Sequence, residues 1–381
     1  MSHVFFDHNS TTALRPEVLE AMLPFMVEQH GNATSRHSFG RTARAAVERA
    51  REQVADAVNA HPSQVVFTAS GTEANNFAIN GITSNLCHGQ ILVSAVEHPC
   101  VSRPALAMQS RGWQARNIGV DIHCHLDKHH LHNLLAAPTN LVSVMLANNE
   151  TGVIQDLAQI ALLANEHKAF VHSDAVQGLG KIEVDFAALK LNAMTLSSHK
   201  VGGPLGAGAL VIDKRLDIQP LLYGGGQEKG LRSGTENVAA IVGFGLACEL
   251  AVKNLAAFAA HTQQLRDLCE TGLAKLGAIL FGQQAKRIPN TSFFAFENIE
   301  GETLVMALDR KGFAVASGSA CSSDSSEPSH VLLAMGIEPD VARGAIRVSF
   351  GLSNSVEQVQ QFLKVLEQEL ARLRNLTAIL A

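Results

Sequence analysis

The sequence predicts an α/β protein, with a mainly parallel sheet covered on both faces and a smaller α+β domain after it. Three observations predict it. From about residue 62 to 212, short β-branched runs alternate with longer amphipathic stretches, the pattern of strands joined by crossover helices. Polar residues cluster just after those runs, where ligands sit in such sheets. Beyond about residue 235 the alternation gives way to long helical periods and two isolated apolar runs.

The elements follow in order. Candidate strands fall at 65–68, 91–94, 141–146, 170–172, 194–196 and 209–212, with candidate helices near 72–85, 98–111 and 156–167. A long apolar-periodic helix is predicted from about 235 past 255. After it come a strand at 291–296, a helix at 301–311, a strand at 345–350 and a final helix over 355–373. The large domain is placed at 12–255, and the small one at 1–11 together with 256–381. The boundary falls inside or beside a helix.

Bulk properties exclude several classes. The 381 residues are 46% hydrophobic and 17% charged, with a formal net charge of −5. No basic stretch could neutralise a row of phosphates, so a nucleic-acid partner is not expected. The longest apolar runs are broken by Gly, Pro or charge before the roughly 18 residues that a membrane span needs. The N-terminus lacks the basic start and apolar core of a signal peptide. Six cysteines at irregular spacing (87, 100, 124, 248, 269, 321) read as reduced thiols rather than a disulfide frame. A cytoplasmic location is the expectation.

Three polar clusters sit on successive strand ends. Ser70-Gly71-Thr72-Glu73 follows 65–68, and Gly71-Thr72 opens a helix whose first N–H groups suit a phosphate. An ordinary helix cap would look the same. Ser173-Asp174-Ala175-Val176-Gln177 follows 170–172, and a carboxylate there caps a segment or pairs with a pyridinium nitrogen. Ser197-Ser198-His199-Lys200 follows 194–196, where a desolvated lysine suits Schiff-base formation. Phosphate binder, carboxylate and lysine in that order are what a phosphorylated pyridine aldehyde requires. Glu97-His98-Pro99 adds an imidazole able to stack on a flat ring, and Asn148-Asn149-Glu150-Thr151-Gly152 adds amides. Each of these two also reads as a plain turn.

Taken together, GTEANN (71–76), EH (97–98), NNETG (148–152), SDAVQ (173–177), SSHK (197–200) and RSGTEN (232–237) resemble the fold-type I pyridoxal-phosphate (PLP) enzymes. They look most like the cysteine desulfurases of the NifS/IscS type. FFDHNSTT (5–12), GNATSRHSFG (31–40) and SGSACSS (317–323) match the same pattern, so the resemblance runs from about 4 to 373. It implies a seven-stranded, mainly parallel sheet in the large domain and a homodimer. It also implies that Lys200 carries the aldehyde, Asp174 pairs with the pyridine nitrogen and His98 stacks on the ring. Gln177 and Asn149 would bond near the ring hydroxyl. Gly71, Thr72, Ser197 and His199 would hold the phosphate, with Thr235 reaching across from the second subunit. Arg347 would grip the substrate carboxylate, while Asn32 and Arg36 would line the entrance.

Cys321 is the expected nucleophile. Small polar residues surround it in Ser317-Gly318-Ser319-Ala320-Cys321-Ser322-Ser323, a loop composition, whereas a core cysteine has apolar neighbours. The loop matches the family branch with the longer cysteine loop, although Ala316 stands where that branch often has Ser. Cys87, Cys100, Cys124, Cys248 and Cys269 are the rivals. The histidines at 123, 125, 129, 130 and 132 crowd around Cys124 without a clean ligand spacing, so no metal site is expected. The glycines at 202–208 and 224–226 do not follow a strand as a dinucleotide fingerprint must.

The activity expected from the resemblance is conversion of L-cysteine to L-alanine, with sulfur left on Cys321 as a persulfide. An acceptor protein would receive that sulfur, for iron–sulfur cluster assembly or other trafficking. An aminotransferase or selenocysteine lyase would use the same cofactor residues without needing Cys321. A silent scaffold and a histidine-based metal binder are the remaining alternatives.

Overall fold

The computed structural model describes residues 3–318 and 327–380. Its centre is a seven-stranded sheet in the order Val65–Thr68, Gly208–Ile212, Ala193–Ser197, Phe170–Asp174, Thr139–Ser143, Gln90–Ser94, Gln114–Ile118. Gly208–Ile212 runs antiparallel to both of its neighbours, and every other pairing is parallel. The α/β expectation holds. Every residue is buried in Val65–Thr68, Gln90–Ser94, Ala193–Ser197 and Gly208–Ile212, as strands covered on both faces require. Gln114–Ile118 escaped the sequence reading because it is a polar edge strand with one buried residue, Ile118.

Helices cover both faces. Ser38–Ala57 turns Ala43, Val47, Ala50 and Val54 inward at helical spacing. Val47, Ala50 and Val54, with Val18 and Met22 of Pro16–Val27 and Phe244 of Val238–Lys253, belong to the core on one face. Phe77, Ile82 and Val101 from Gly71–Thr83 and Pro99–Ala107 build the other.

The single long helix predicted from 235 is two helices, Val238–Lys253 and Leu255–Lys275, bent by 71°. Asn254 stands at the break and its side-chain amide donates to the Leu250 carbonyl at 2.7 Å, closing the first helix. Among the described residues no single helix is long and apolar enough to cross a membrane, and the bent pair passes by length and composition only.

A second sheet follows, antiparallel, in the order Ala316–Ser317, Ile346–Ser349, Thr291–Ala295, Ile279–Leu280. Its own core gathers Phe294, Phe296, Phe350 and Phe362 with Leu265 and Leu304. The chain's first strand, Val4–Phe5, pairs in parallel with Phe313–Ala314 and buries Phe6 in the same core. From there the N-terminal segment crosses to the large sheet. His8 N–H donates to the Ser349 carbonyl, and Thr12 N–H donates to the His199 carbonyl at 2.9 Å.

Strand direction places the chemistry. Val65–Thr68 lies antiparallel to a strand that is itself antiparallel to Ala193–Ser197, so both end on the same edge. The turns at 70–72, 97–98, 147–149, 174–177 and 198–200 therefore gather on one rim of the sheet.

Candidate active site

A cavity of about 260 Å³ opens on that rim, lined by Gly71, Thr72, Asn75, His98, Cys100, Asn149, Asp174, Gln177, Ser197, His199 and Lys200, among others. Nine of the residues singled out in the sequence thus share one space, although they span 130 positions from 71 to 200.

The phosphate end is built from helix and strand backbone. Ser70 caps Gly71–Thr83, its hydroxyl accepting from Glu73 N–H at 3.1 Å. That leaves the amides of Gly71 and Thr72, which begin a helix and have no intrahelical acceptor, at the cavity wall. A Cβ on Gly71 would meet Ser197 Cβ and Val176 Cγ2 at 3.2 Å, and one on Gly208 would meet the Ser70 carbonyl carbon at 2.6 Å. Both glycines let the turn at 70–72 lie close against its neighbours, and its free amides could hold an anion. His199 closes it. Its Nδ1 is 3.1 Å from Thr11 Oγ1, and burial together with the Lys200 charge pushes its imidazole down to about 4.

The carboxylate end is rigid. Asp174 is 6% exposed. Its Oδ2 accepts from Asn75 Nδ2 at 2.7 Å and its Oδ1 from Val176 N–H at 3.0 Å. Beside it, His98 caps Pro99–Ala107 by accepting from Cys100 N–H at 3.2 Å. Burial lowers the His98 imidazole below its ordinary value, Asp174 opposes that, and Lys200, His330 and Arg103 reinforce it. Glu97 is fully buried, and its Oε1 accepts from Met145 N–H at 2.5 Å. The strand predicted over 141–146 ends at Ser143; beyond it Val144 and Leu146 N–H still donate to the His172 and Asp174 carbonyls, while Met145 N–H turns to this carboxyl. Burial and Asp174 raise the Glu97 carboxyl well above the carboxylate range.

Lys200 ends the turn after Ala193–Ser197. Its Nζ donates to the carbonyls of Asn9 at 2.6 Å and Ser10 at 2.7 Å. Asn9 is a hub. Its carbonyl also accepts from Gln177 Nε2 at 2.9 Å, its Oδ1 from Lys181 Nζ at 2.8 Å, and its Nδ2 donates to Thr291 Oγ1 at 2.8 Å. Lys181 is buried, and desolvation with the nearby Lys200 and Arg347 charges lowers its amine well below the usual range. Asn9 and Lys181 were missed in the sequence. FFDHNSTT carried the first as a motif letter, and Lys181 stands four residues after Gln177, a helical spacing that was the available signal.

Arg347 is 6% exposed in a strand paired on both sides, so it is no surface arginine. One guanidinium nitrogen donates to Asn149 O at 2.9 Å. The other reaches Asp7 Oδ1 at 2.7 Å and Ser10 Oγ at 2.8 Å. Its Nε is buried without a bonding partner.

Four predicted residues do not line the cavity within one chain: the buried Arg347, which reaches it only through the Asn149 carbonyl, and three exposed residues. Asn32 is exposed and folds its Oδ1 onto Thr34, Arg36 is exposed, and Thr235 is exposed on the loop before Val238–Lys253. Cys321 lies outside the described residues. Of its rivals, Cys124, Cys248 and Cys269 are fully buried, and burial pushes their thiols up, Cys124 to about 12. Cys87 is exposed and away from the cavity. The histidines at 123–132 do not converge: His130 Nδ1 accepts from Gly119 N–H, and His125 faces Asp121 at 3.4 Å. Among the described residues no group of three or more His, Cys, Asp or Glu is arranged to hold a metal ion.

A lysine, a buried carboxylate and an imidazole around a helix N-terminus, on the strand ends of this sheet, are the arrangement of the fold-type I enzymes. The chain matches the aminotransferase class-V family over residues 4–362. It is 39% identical over 379 residues to the cysteine desulfurase IscS of Methanosarcina thermophila, covering 99% of this chain and 94% of that one. Among solved structures, a NifS-like protein superimposes with a TM-score of 0.92 at 36% identity, covering 97% and 99% of the two chains. SspA in complex with cysteine superimposes with a TM-score of 0.79 at 29% identity, covering 91% and 98%. The chain belongs to the class-V aminotransferase family, in its NifS/IscS-type cysteine desulfurase branch.

Proposed function

We propose that the chain is a pyridoxal-phosphate-dependent cysteine desulfurase that converts L-cysteine to L-alanine and leaves the sulfur on Cys321 as a persulfide. One observation carries the reading: Lys200, Asp174, His98 and the Gly71–Thr72 helix start border the same cavity. That the related SspA was solved with cysteine supports the substrate.

The residues fit the cofactor. The close approach at Gly71 makes room for a phosphate, to which Thr72, Ser197 and His199 would donate. Asp174 would hold the pyridine nitrogen protonated, and His98 would cover the ring, with Asn149 and Gln177 near its hydroxyl. Bound through Lys200, the cofactor supplies an electron-accepting ring that lowers the cost of negative charge at the substrate Cα.

The protein's own groups do the rest. Arg347 orients the substrate by its carboxylate, competing with Asp7 for the guanidinium fork. Lys200 Nζ would take the Cα proton of the bound substrate and hold it for return. Lys181 and Asn9 keep that amine in place. The Cys321 thiolate then attacks the substrate sulfur. The Cβ–S bond breaks with its electron pair staying on Cβ, which takes up a proton, an S–S bond forms on Cys321, and the carbon skeleton leaves as alanine.

The persulfide would pass to an acceptor protein, an iron–sulfur scaffold among the candidates. Exposed Thr235, Asn32 and Arg36 suit a homodimer in which each subunit completes the other's site. The five cysteines among the described residues are free, which suits the reducing cytoplasm.

Alanine release from L-cysteine, with a reductant present, tests this in the native protein, Lys200→Ala and Cys321→Ala. Release by the native protein alone is expected. Equal release by Cys321→Ala would contradict the sulfur-transfer role and favour a lyase.

A further inference from the structure

Cys100 stands where the cavity needs no thiol, yet it is bonded on two sides. Its Sγ is 2.8 Å from His98 Nδ1 and 3.0 Å from Asn75 Nδ2. The same Asn75 nitrogen donates to Asp174 Oδ2 at 2.7 Å. An amide NH2 has two hydrogens, so one serves the carboxylate and the other the sulfur. A continuous chain runs from Asp174 through Asn75 and Cys100 to His98.

The direction of the last link follows from the helix cap. Cys100 N–H donates to His98 Nδ1, so Nδ1 carries a lone pair and no proton. The contact between Sγ and Nδ1 is then S–H donating to nitrogen. We infer that Cys100 is a positioning residue that holds His98 as a neutral imidazole with its proton on Nε2. Resting on the function proposed above, this deepens it: His98 serves as a hydrogen-bond donor in the cavity, and proton abstraction falls to Lys200 alone. Cys100 is not itself a sulfur acceptor, because burial and the Asp174 charge push its thiol up, away from the nucleophilic thiolate.

The groups facing His98 set the background. Asp174 favours its protonation, while Lys200, His330 and Arg103 oppose it, and the Cys100 S–H adds to the opposing side by bonding only to the neutral ring.

The test compares native protein, Cys100→Ser and Cys100→Ala. Deuterium exchange at histidine Cε1, read by peptide mass spectrometry on the cofactor-free proteins, reports the His98 titration without turnover. Cys100→Ala keeps the backbone N–H but loses the side-chain donor, so the proton affinity of His98 rises about threefold, the worth of one modest hydrogen bond. Cys100→Ser keeps a donor and titrates with the native protein. In the holoenzymes, the acid limb of kcat/KM for alanine formation moves upward by the same factor in Cys100→Ala only. An unmoved His98 titration in Cys100→Ala, or an equal shift in both variants, would overturn the inference. A shifted titration with an unmoved acid limb would overturn its catalytic part. Failure of the native enzyme to form alanine would contradict the proposed function while leaving the cofactor-free titration to judge the tautomer.

Discussion

Lys200 Nζ lies 2.6 Å from the main-chain carbonyl of Asn9, so the amine at the end of a large-sheet strand is held by the chain's N-terminal segment. The Asn9 side chain continues the link to Thr291 of the small sheet and to Lys181. Asn9→Ala removes the acceptor of a buried lysine and a donor to a buried threonine. Lys181 keeps Gln177 Oε1 and Thr291 keeps Asn290 Oδ1, so the loss is that of buried hydrogen bonds, about 0.5–1.5 kcal/mol each, and urea unfolding should show it. An unchanged midpoint would contradict the hub.

Arg51 is 3% exposed and bonds Glu228 through both terminal nitrogens at 2.7 and 2.8 Å. Glu228 also accepts from Phe67 N–H, tying the loop that leads to Thr235 onto the first strand of the large sheet. Arg51→Met strands a buried carboxylate, and breaking such a pair costs about 3–5 kcal/mol. Denaturant unfolding checks it, and a loss below about 1 kcal/mol would refute the assignment.

His172 is fully buried between Ser143 Oγ and Thr195 Oγ1, and burial lowers its imidazole to about 3. Between the ordinary value of 6.5 and about 3, the unfolded chain holds a proton that the folded one refuses. Stability is therefore fully present above that window and falls as pH drops through it. One such group contributes a slope of about 1.4 kcal/mol per pH unit. His172→Gln should flatten the stability profile between about pH 6 and 4 by that amount, measured by unfolding at several pH values. Parallel profiles would count against it.

Arg347→Lys keeps the charge and loses the fork, including the buried Nε donor. A lysine offers a point charge where the carboxylate needs paired donors. The KM for L-cysteine should rise about 10–100-fold, at about 1.4 kcal/mol per factor of ten, with a smaller change in kcat. A fall in kcat at constant KM would place Arg347 in a different role.

Most of the large sheet was legible because its strands are continuous apolar runs that end in polar turns. The site was legible for the same reason, since Thr72, His98, Asn149, Asp174 and Lys200 each follow a strand directly. What was hidden is instructive. Gln114–Ile118 is an edge strand with a polar sequence, so neither periodicity nor apolarity marked it. Pro16–Val27 and Ser38–Ala57 lie ahead of the alternating region and carried no strand to frame them. The bend at Asn254 splits one apolar period into two helices because a side-chain amide, not a change in hydropathy, ends the first. Asn9 and Lys181 meet across 172 positions, and no local pattern reports a contact of that kind. The link from Asn75 through Cys100 to His98 also depends on side-chain convergence, here between two helix starts.

Cys321 stands on loop composition and family resemblance alone, so it is the claim most worth measuring. The holoenzyme is given L-cysteine without reductant, alkylated, digested and mapped by mass spectrometry. The account predicts that the peptide containing Cys321 gains the mass of one sulfur atom, in step with one alanine formed per site. Sulfur on the Cys100 peptide, or alanine accumulating with no sulfur on Cys321, would contradict it.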